Sequence, residues 1–190
     1  GEEHLWKIFD RRNNEYIMST KEIIDRGIKF GSGPYKWKVP LCEPVKYTKK
    51  DLPIPPYTLG ALIGDGYLSG NSIAISVPDN KIEILNRIKE ELPKNFVFKK
   101  NSDLQSCPSY RIVNYDTNKN QLKGDIKDYG LNVNSKYKFI PNVYKYSSFE
   151  DRLDIIRGLM DTDGSCVKNR TSFSSSSEKL CDDVIEIVQS

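Results

Sequence analysis

Two Asp-Gly pairs, Asp65-Gly66 and Asp163-Gly164, close segments that read almost alike: TLGALIGDG over 58–66 and IRGLMDTDG over 156–164. The aspartates stand 98 residues apart, and a repeat at that spacing means two similar modules in one chain. Leu59, Ala61, Leu62 and Ile63 in the first copy, and Ile155, Ile156, Leu159 and Met160 in the second, predict helices buried over much of their circumference. Glycine inside a helix costs about 1 kcal/mol relative to alanine. Close approach of two backbones at Gly60 and Gly158 would offset that cost, and it would set Asp65 and Asp163 side by side at the ends of both helices. A carboxylate at a helix C-terminus faces the negative end of the dipole and is disfavoured without a cation. Two of them therefore ask for a metal, and carboxylate oxygens completed by water and phosphate suit Mg2+.

The elements that must hold these helices follow in order. After the first motif, 67–68 and 72–77 read as short strands around a Gly70-Asn71 turn. Residues 79–92 read as a helix with Asp79 as N-cap candidate, an apolar stripe of Ile82, Leu85, Ile88 and Leu92, and Pro93 as its stop. Residues 95–100 and 110–114 are two further strands joined by a polar loop, and 118–129 is a second amphipathic helix ended by Gly130. The module order is therefore α-β-β-α-β-β-α. Residues 151–163 begin the same order again, with strands at 165–168 and 171–174 and a helix from Ser177 to Val188, so the second copy is read as truncated.

Residues 1–56 have a different character. Strands are expected at 5–9 and 16–18 around Arg12-Asn13-Asn14, a short helix at 19–26 capped by Ser19 or Thr20, and a strand at 35–39. The stretch KKDLPIPP at 49–56 is a connector that cannot be helical.

The two copies resemble the paired LAGLIDADG motifs of the dodecapeptide homing endonucleases. The resemblance implies an α+β fold whose motif helices form the central interface, with Asp65 and Asp163 binding the catalytic Mg2+ and double-stranded DNA as the substrate. The first copy has Ile63 where the motif name has Asp, while the second keeps Asp161. EEHLWKIF, STKEI, WKVPLCEPVKY and LPIPPYTLGALIGDG are similar to inteins that carry such an insert. Residues 1–56 would then be part of a β-rich splicing domain, 57–149 the first LAGLIDADG module and 150–190 a truncated second one. By the same resemblance His4 is the splicing histidine, although Gly1 stands where the pattern has Thr, and Lys138 in KFIP is a catalytic lysine with Lys136 as runner-up. No amino-terminal nucleophile precedes a splicing block and no His-Asn closes the chain, so this polypeptide is not expected to splice. The complete protein is expected to be monomeric, its modules packed through the motif helices.

DNA-facing residues are read from strand alternation. Tyr67, Ser69 and Asn71 fall on one face, and Ser72, Ala74 and Ser76 on one face of the next strand. Lys99, Lys100, Tyr110 and Arg111 are further candidates, as is the acid-free stretch 129–149, where Lys136, Lys138 and Lys145 alternate with Tyr137, Tyr144 and Tyr146.

Composition narrows the classes without choosing among them. With 190 residues, 37% apolar, the chain can bury one good core or two small ones. The net charge of +3 does not announce nucleic acid, so local distribution decides. Cys42, Cys107, Cys166 and Cys181 lack CxxC spacing and are read as reduced thiols. No apolar run reaches membrane-spanning length, and no signal-peptide pattern opens the chain. An intracellular, unexported protein is expected. Other readings are a free-standing or intron-encoded LAGLIDADG endonuclease, and a degenerate domain that binds DNA or supports RNA splicing without cutting.

Overall fold

In a computed structural model the structure describes residues 1–101, 107–116, 120–168 and 170–190. The chain divides into two compact units, 1–43 and 44–190.

The first unit is a hairpin, β1 (Leu5–Phe9) and β2 (Glu15–Ser19), followed by helix α1 (Thr20–Asp25). The strands pair antiparallel with Ile8 opposite Tyr16, and Ile8 and Met18 are buried. Asn13 in the turn has positive φ, which asparagine tolerates. Ser19 and Glu22 form a reciprocal capping box, and Gly27 follows the helix with φ +77. No strand forms at 35–39: Tyr35 and Lys38 make isolated bridges to Lys29 and Phe9, and the chain bends at Lys36 between them instead of extending.

The second unit begins with the Pro-rich connector and helix α2 (Pro56–Asp65). Pro56 sits at the first helical position, where its missing N–H matters least. Strands β3 (Gly66–Tyr67), β4 (Ala74–Ser76), β5 (Phe96–Lys100) and β6 (Ser109–Asn114) make one antiparallel sheet in the order β3-β4-β6-β5. Between β4 and β5, Pro78 opens a 3-10 turn at Asp79–Lys81, and helix α3 spans Glu83–Glu91. Asp79 is therefore not the N-cap of a long helix. Asn120 caps helix α4 (Gln121–Asp128) through Lys123 N; the remaining expected start of that helix, 118–119, lies outside the described residues.

Helix α5 (Asn142–Lys145) leads to helix α6 (Phe149–Asp163), capped by Ser148. Strands β7 (Gly164–Val167) and β8 (Arg170–Phe173) pair antiparallel, and Ser177 caps helix α7 (Glu178–Gln189). The core gathers Leu59, Leu62 and Ile63 of α2, Ile73 and Ile75 beside β3, Ile88 of α3, and Ile155 and Leu159 of α6. Tyr144 is fully buried, its hydroxyl donating to Ile54 O (2.9 Å) and accepting from Ile54 N (3.1 Å). This ties the connector to the core.

Two sequence expectations about faces do not hold. β3 ends at Tyr67, so Ser69 and Asn71 lie in the irregular connection to β4 and share no strand face with Tyr67. Ser72 precedes β4, and Ala74 is buried. The stretch 129–149 is not an open basic face either: Tyr144, Lys138 and Lys145 are buried, and Lys145 pairs with buried Asp183 (2.8 Å) and with Glu186 (2.7 Å).

Candidate metal and DNA site

The site is built where α2 and α6 cross. A Cβ on Gly60 would stand 2.3 Å from Ile155 O, and one on Gly158 would stand 2.3 Å from Tyr57 O and 2.6 Å from Ala61 N. Any side chain at either position would collide with the other helix's backbone. At the helix ends a Cβ on Gly64 would lie 2.0 Å from Thr162 Oγ1 and 3.4 Å from Asp163 Oδ2, which sets the two final turns against each other. Gly66 and Gly164 have ordinary negative φ, and their role is also spatial: a Cβ there would strike Leu62 O at 2.2 Å and Met160 O at 2.4 Å as the chain leaves the helix for the strand.

The carboxyls of Asp65 and Asp163 close these ends. Both are held above the usual carboxylate range by desolvation, and for Asp65 the negative charge of Asp163 adds to it. The positive charges of Lys138 and Lys81 oppose the rise at both. Neither helix carries a basic residue in its last turn, so these cations come from elsewhere. Lys138, 4% exposed, donates from Nζ to Gly64 O (2.8 Å) and Gly66 O (2.7 Å), the carbonyls on either side of Asp65. Burial pushes its ammonium down to about 8 against the pull of Asp163 and Asp65. Lys81 donates to Asp161 O (2.7 Å) at the end of α6.

Among the described residues no three His, Cys, Asp or Glu side chains gather into a metal cluster. The two carboxylates fit a cation that takes most of its oxygen ligands from water and phosphate, as Mg2+ does. Desolvated like charges at helix C-termini are what such a cation would relieve.

The sixth motif position is occupied differently in the two copies. Ile63 is fully buried, whereas Asp161 is exposed and accepts from Tyr57 Oη (2.8 Å). Burial and that bond raise the pKa of Tyr57. The Arg87 guanidinium lies 3.6 Å from the Tyr57 ring centroid and pairs with Asp154 (2.9 Å), a tie of α3 to both α2 and α6.

The four-stranded sheet places the other candidates. Registers align Tyr67, Ala74, Arg111 and Lys99 in one row across all four strands, on one face. Tyr67, Arg111 and Lys99 of this row are exposed, and Arg111 reaches Asn101 Oδ1 (3.1 Å). Lys100 shares a row with Tyr110 and core residue Ile75, hence the opposite face from Lys99. Asn71 is exposed, its carbonyl accepting from Lys123 Nζ (2.8 Å), and Ser69 is half-buried. Lys136 is exposed in a 3-10 turn at Ser135–Tyr137. His4 is exposed just before β1, edge-to-face with Trp6 at 4.6 Å.

Sequence reasoning missed Lys81 and Glu91. Glu91 accepts from Thr58 N (3.1 Å) and Thr58 Oγ1 (2.8 Å), capping α2, whose own N-cap Pro55 has no side-chain bond to offer. The absence of a local capping residue before 56 was the available signal; Lys81 had none, because its acceptor is a backbone carbonyl 80 residues away.

No protein-family model matches the chain. Over 138 residues it is 29% identical to a replicative DNA helicase DnaB of Mycobacterium intracellulare, a match that spans 72% of this chain and 19% of that protein. The chain thus corresponds to about a fifth of that relative's length. Among solved structures it is similar to mesophilic variants of the homing endonuclease I-DmoI, with TM-score 0.48 and 14% identity, over 71% of this chain and 74% of that one. No helix among the described residues is long and apolar enough to cross a membrane.

Proposed function

We propose that the chain is the DNA-cleaving region of an intein, a LAGLIDADG endonuclease that hydrolyses two phosphodiester bonds of double-stranded DNA with Mg2+. The observation that carries this reading is the pair Asp65 and Asp163 at the ends of two helices locked by Gly60 and Gly158, with the Lys138 ammonium between the carbonyls that flank Asp65. A match covering 19% of a replicative helicase supports an insert within a larger host protein. His4 and the unit 1–43 would then belong to the splicing part.

Asp65 and Asp163 would hold the cation. When bound, Mg2+ acidifies a coordinated water and polarises the scissile phosphate. Lys138 keeps the last turn of α2 rigid and sets positive charge beside the carboxylates, where charge develops on phosphate oxygens. Arg111, Lys99 and Tyr67 present donors and a ring to the duplex from the exposed sheet face; Lys136, Ser69 and Asn71 are secondary contacts, and Lys100 lies on the opposite face from Lys99.

The test is a plasmid carrying the uninterrupted host-gene sequence, incubated with the chain and Mg2+. Linear product is expected. Asp65→Asn or Asp163→Asn should lose it by about 10²-fold or more while still binding DNA. Metal-free melting temperatures of both variants should equal or exceed that of the parent, because each substitution removes a carboxylate that the fold holds above its usual pKa. Undiminished cleavage by either variant would refute the assignment.

A further inference from the structure

We infer that Lys81 is a second phosphate-directed cation of this site, lent by the first module to the helix that carries Asp163. The inference rests on the endonuclease reading above. The ends of α2 and α6 present the same electrostatic problem, a carboxylate and orphan carbonyls at the negative end of a dipole with no basic residue in the last turn. Lys138 meets it at α2, through Gly64 O and Gly66 O. At α6 the corresponding bond comes from Lys81, whose Nζ lies 2.7 Å from Asp161 O.

The two lysines differ in what they can still do. Lys138 is buried and spends two of its three N–H donors on carbonyls. Lys81 is half-buried, and its single hydrogen bond among the described residues leaves two donors for another ligand. Its backbone is fixed by the 3-10 turn, with Lys81 N donating to Pro78 O (2.9 Å), and its ammonium is held at the end of α6 by the bond to Asp161 O. An ammonium bound to the carbonyl two residues before Asp163, with unused donors, is placed to meet a phosphate oxygen brought to the carboxylates. A lysine that served only as a helix cap would not take up that phosphate.

The experiment measures binding of the whole chain to a mixed-sequence DNA duplex without divalent metal, over a salt series. Each neutralised phosphate contributes a slope of about −0.9 in log K against log salt. Lys81→Gln should make the slope shallower by about that amount, Lys81→Arg should retain it, and Lys89→Gln on the exposed side of α3 should leave it unchanged. Melting curves run alongside. A lower melting temperature with an unchanged slope would make Lys81 a helix cap and overturn the inference while leaving the endonuclease reading intact. Absence of salt-dependent DNA binding in the parent chain would overturn both.

Discussion

Lys138 is the residue whose environment makes the sharpest demand. Its side chain is nearly sealed from water, and two carbonyls and two carboxylates only partly replace the lost hydration, so its pKa falls to about 8 from an ordinary value near 10.5. The sign follows from proton binding: between these values the unfolded chain holds the proton and the folded chain releases it, so fold stability rises with pH across that window. Melting temperatures of the parent relative to Lys138→Met should therefore climb from pH 8 to 10. Catalysis should respond in the opposite direction. If the ammonium stabilises developing charge, cleavage falls as pH rises through about 8, and Lys138→Gln costs about 10²-fold or more. A rate that instead rises through pH 8 and then levels would make the lysine a general base. Lys138 was visible in KFIP by resemblance, but its burial was not, because the flanking Lys136 and Tyr137 are exposed and composition does not separate them.

At the scale of elements, the crossing of α2 and α6 is what converts two separate sequence motifs into one site. Overlap of a Cβ with Ile155 O or Tyr57 O at 2.3 Å cannot be relieved by a rotamer change, since both partners are backbone. Gly60→Leu and Gly158→Leu should each destabilise by about 1–3 kcal/mol or more, read from denaturant midpoints. A shift within error at both would mean the helices separate without loss. This contact was legible because glycine in the middle of an apolar helix weakens it, and a close backbone approach is what offsets that loss. The caps Ser19 and Ser177 were legible too, since each stands at the start of an expected helix and acts within three residues of its partner, whereas Asn120 lies inside the expected helix 118–129 and was not. What was not legible depends on distant partners. The helix expected at 79–92 breaks at Ile82 into a 3-10 turn and α3, residues 35–39 find only isolated bridges, and Lys145 is drawn inward by Asp183, 38 residues away.

At the largest scale, the two motif helices lead into unequal sheets beside the carboxylates. The first offers a four-stranded sheet whose exposed row runs from Tyr67 through Arg111 to Lys99, four strands across. The second offers the ribbon β7–β8, with Arg170 opposite Val167 and a Ser165–Ser172 hydroxyl contact at 2.8 Å. Adjacent strands lie about 4.8 Å apart, so four strands reach about 14 Å and two about 5 Å across the duplex. On the endonuclease reading, both sheets, each beginning at the glycine after an aspartate, would extend outward from the cleavage point, and their unequal widths would become unequal lengths of protected DNA in this chain. Hydroxyl-radical footprinting of the bound chain should give protection that extends further on the side of the first module. Lys99→Gln and Arg111→Gln should erase the outer part of that protection and make the salt slope shallower by about 0.9 each, whereas Arg170→Gln should act on the opposite side, close to the scissile bonds. Protection of equal length on both sides, unchanged by Lys99→Gln and Arg111→Gln, would mean that the exposed row does not face DNA.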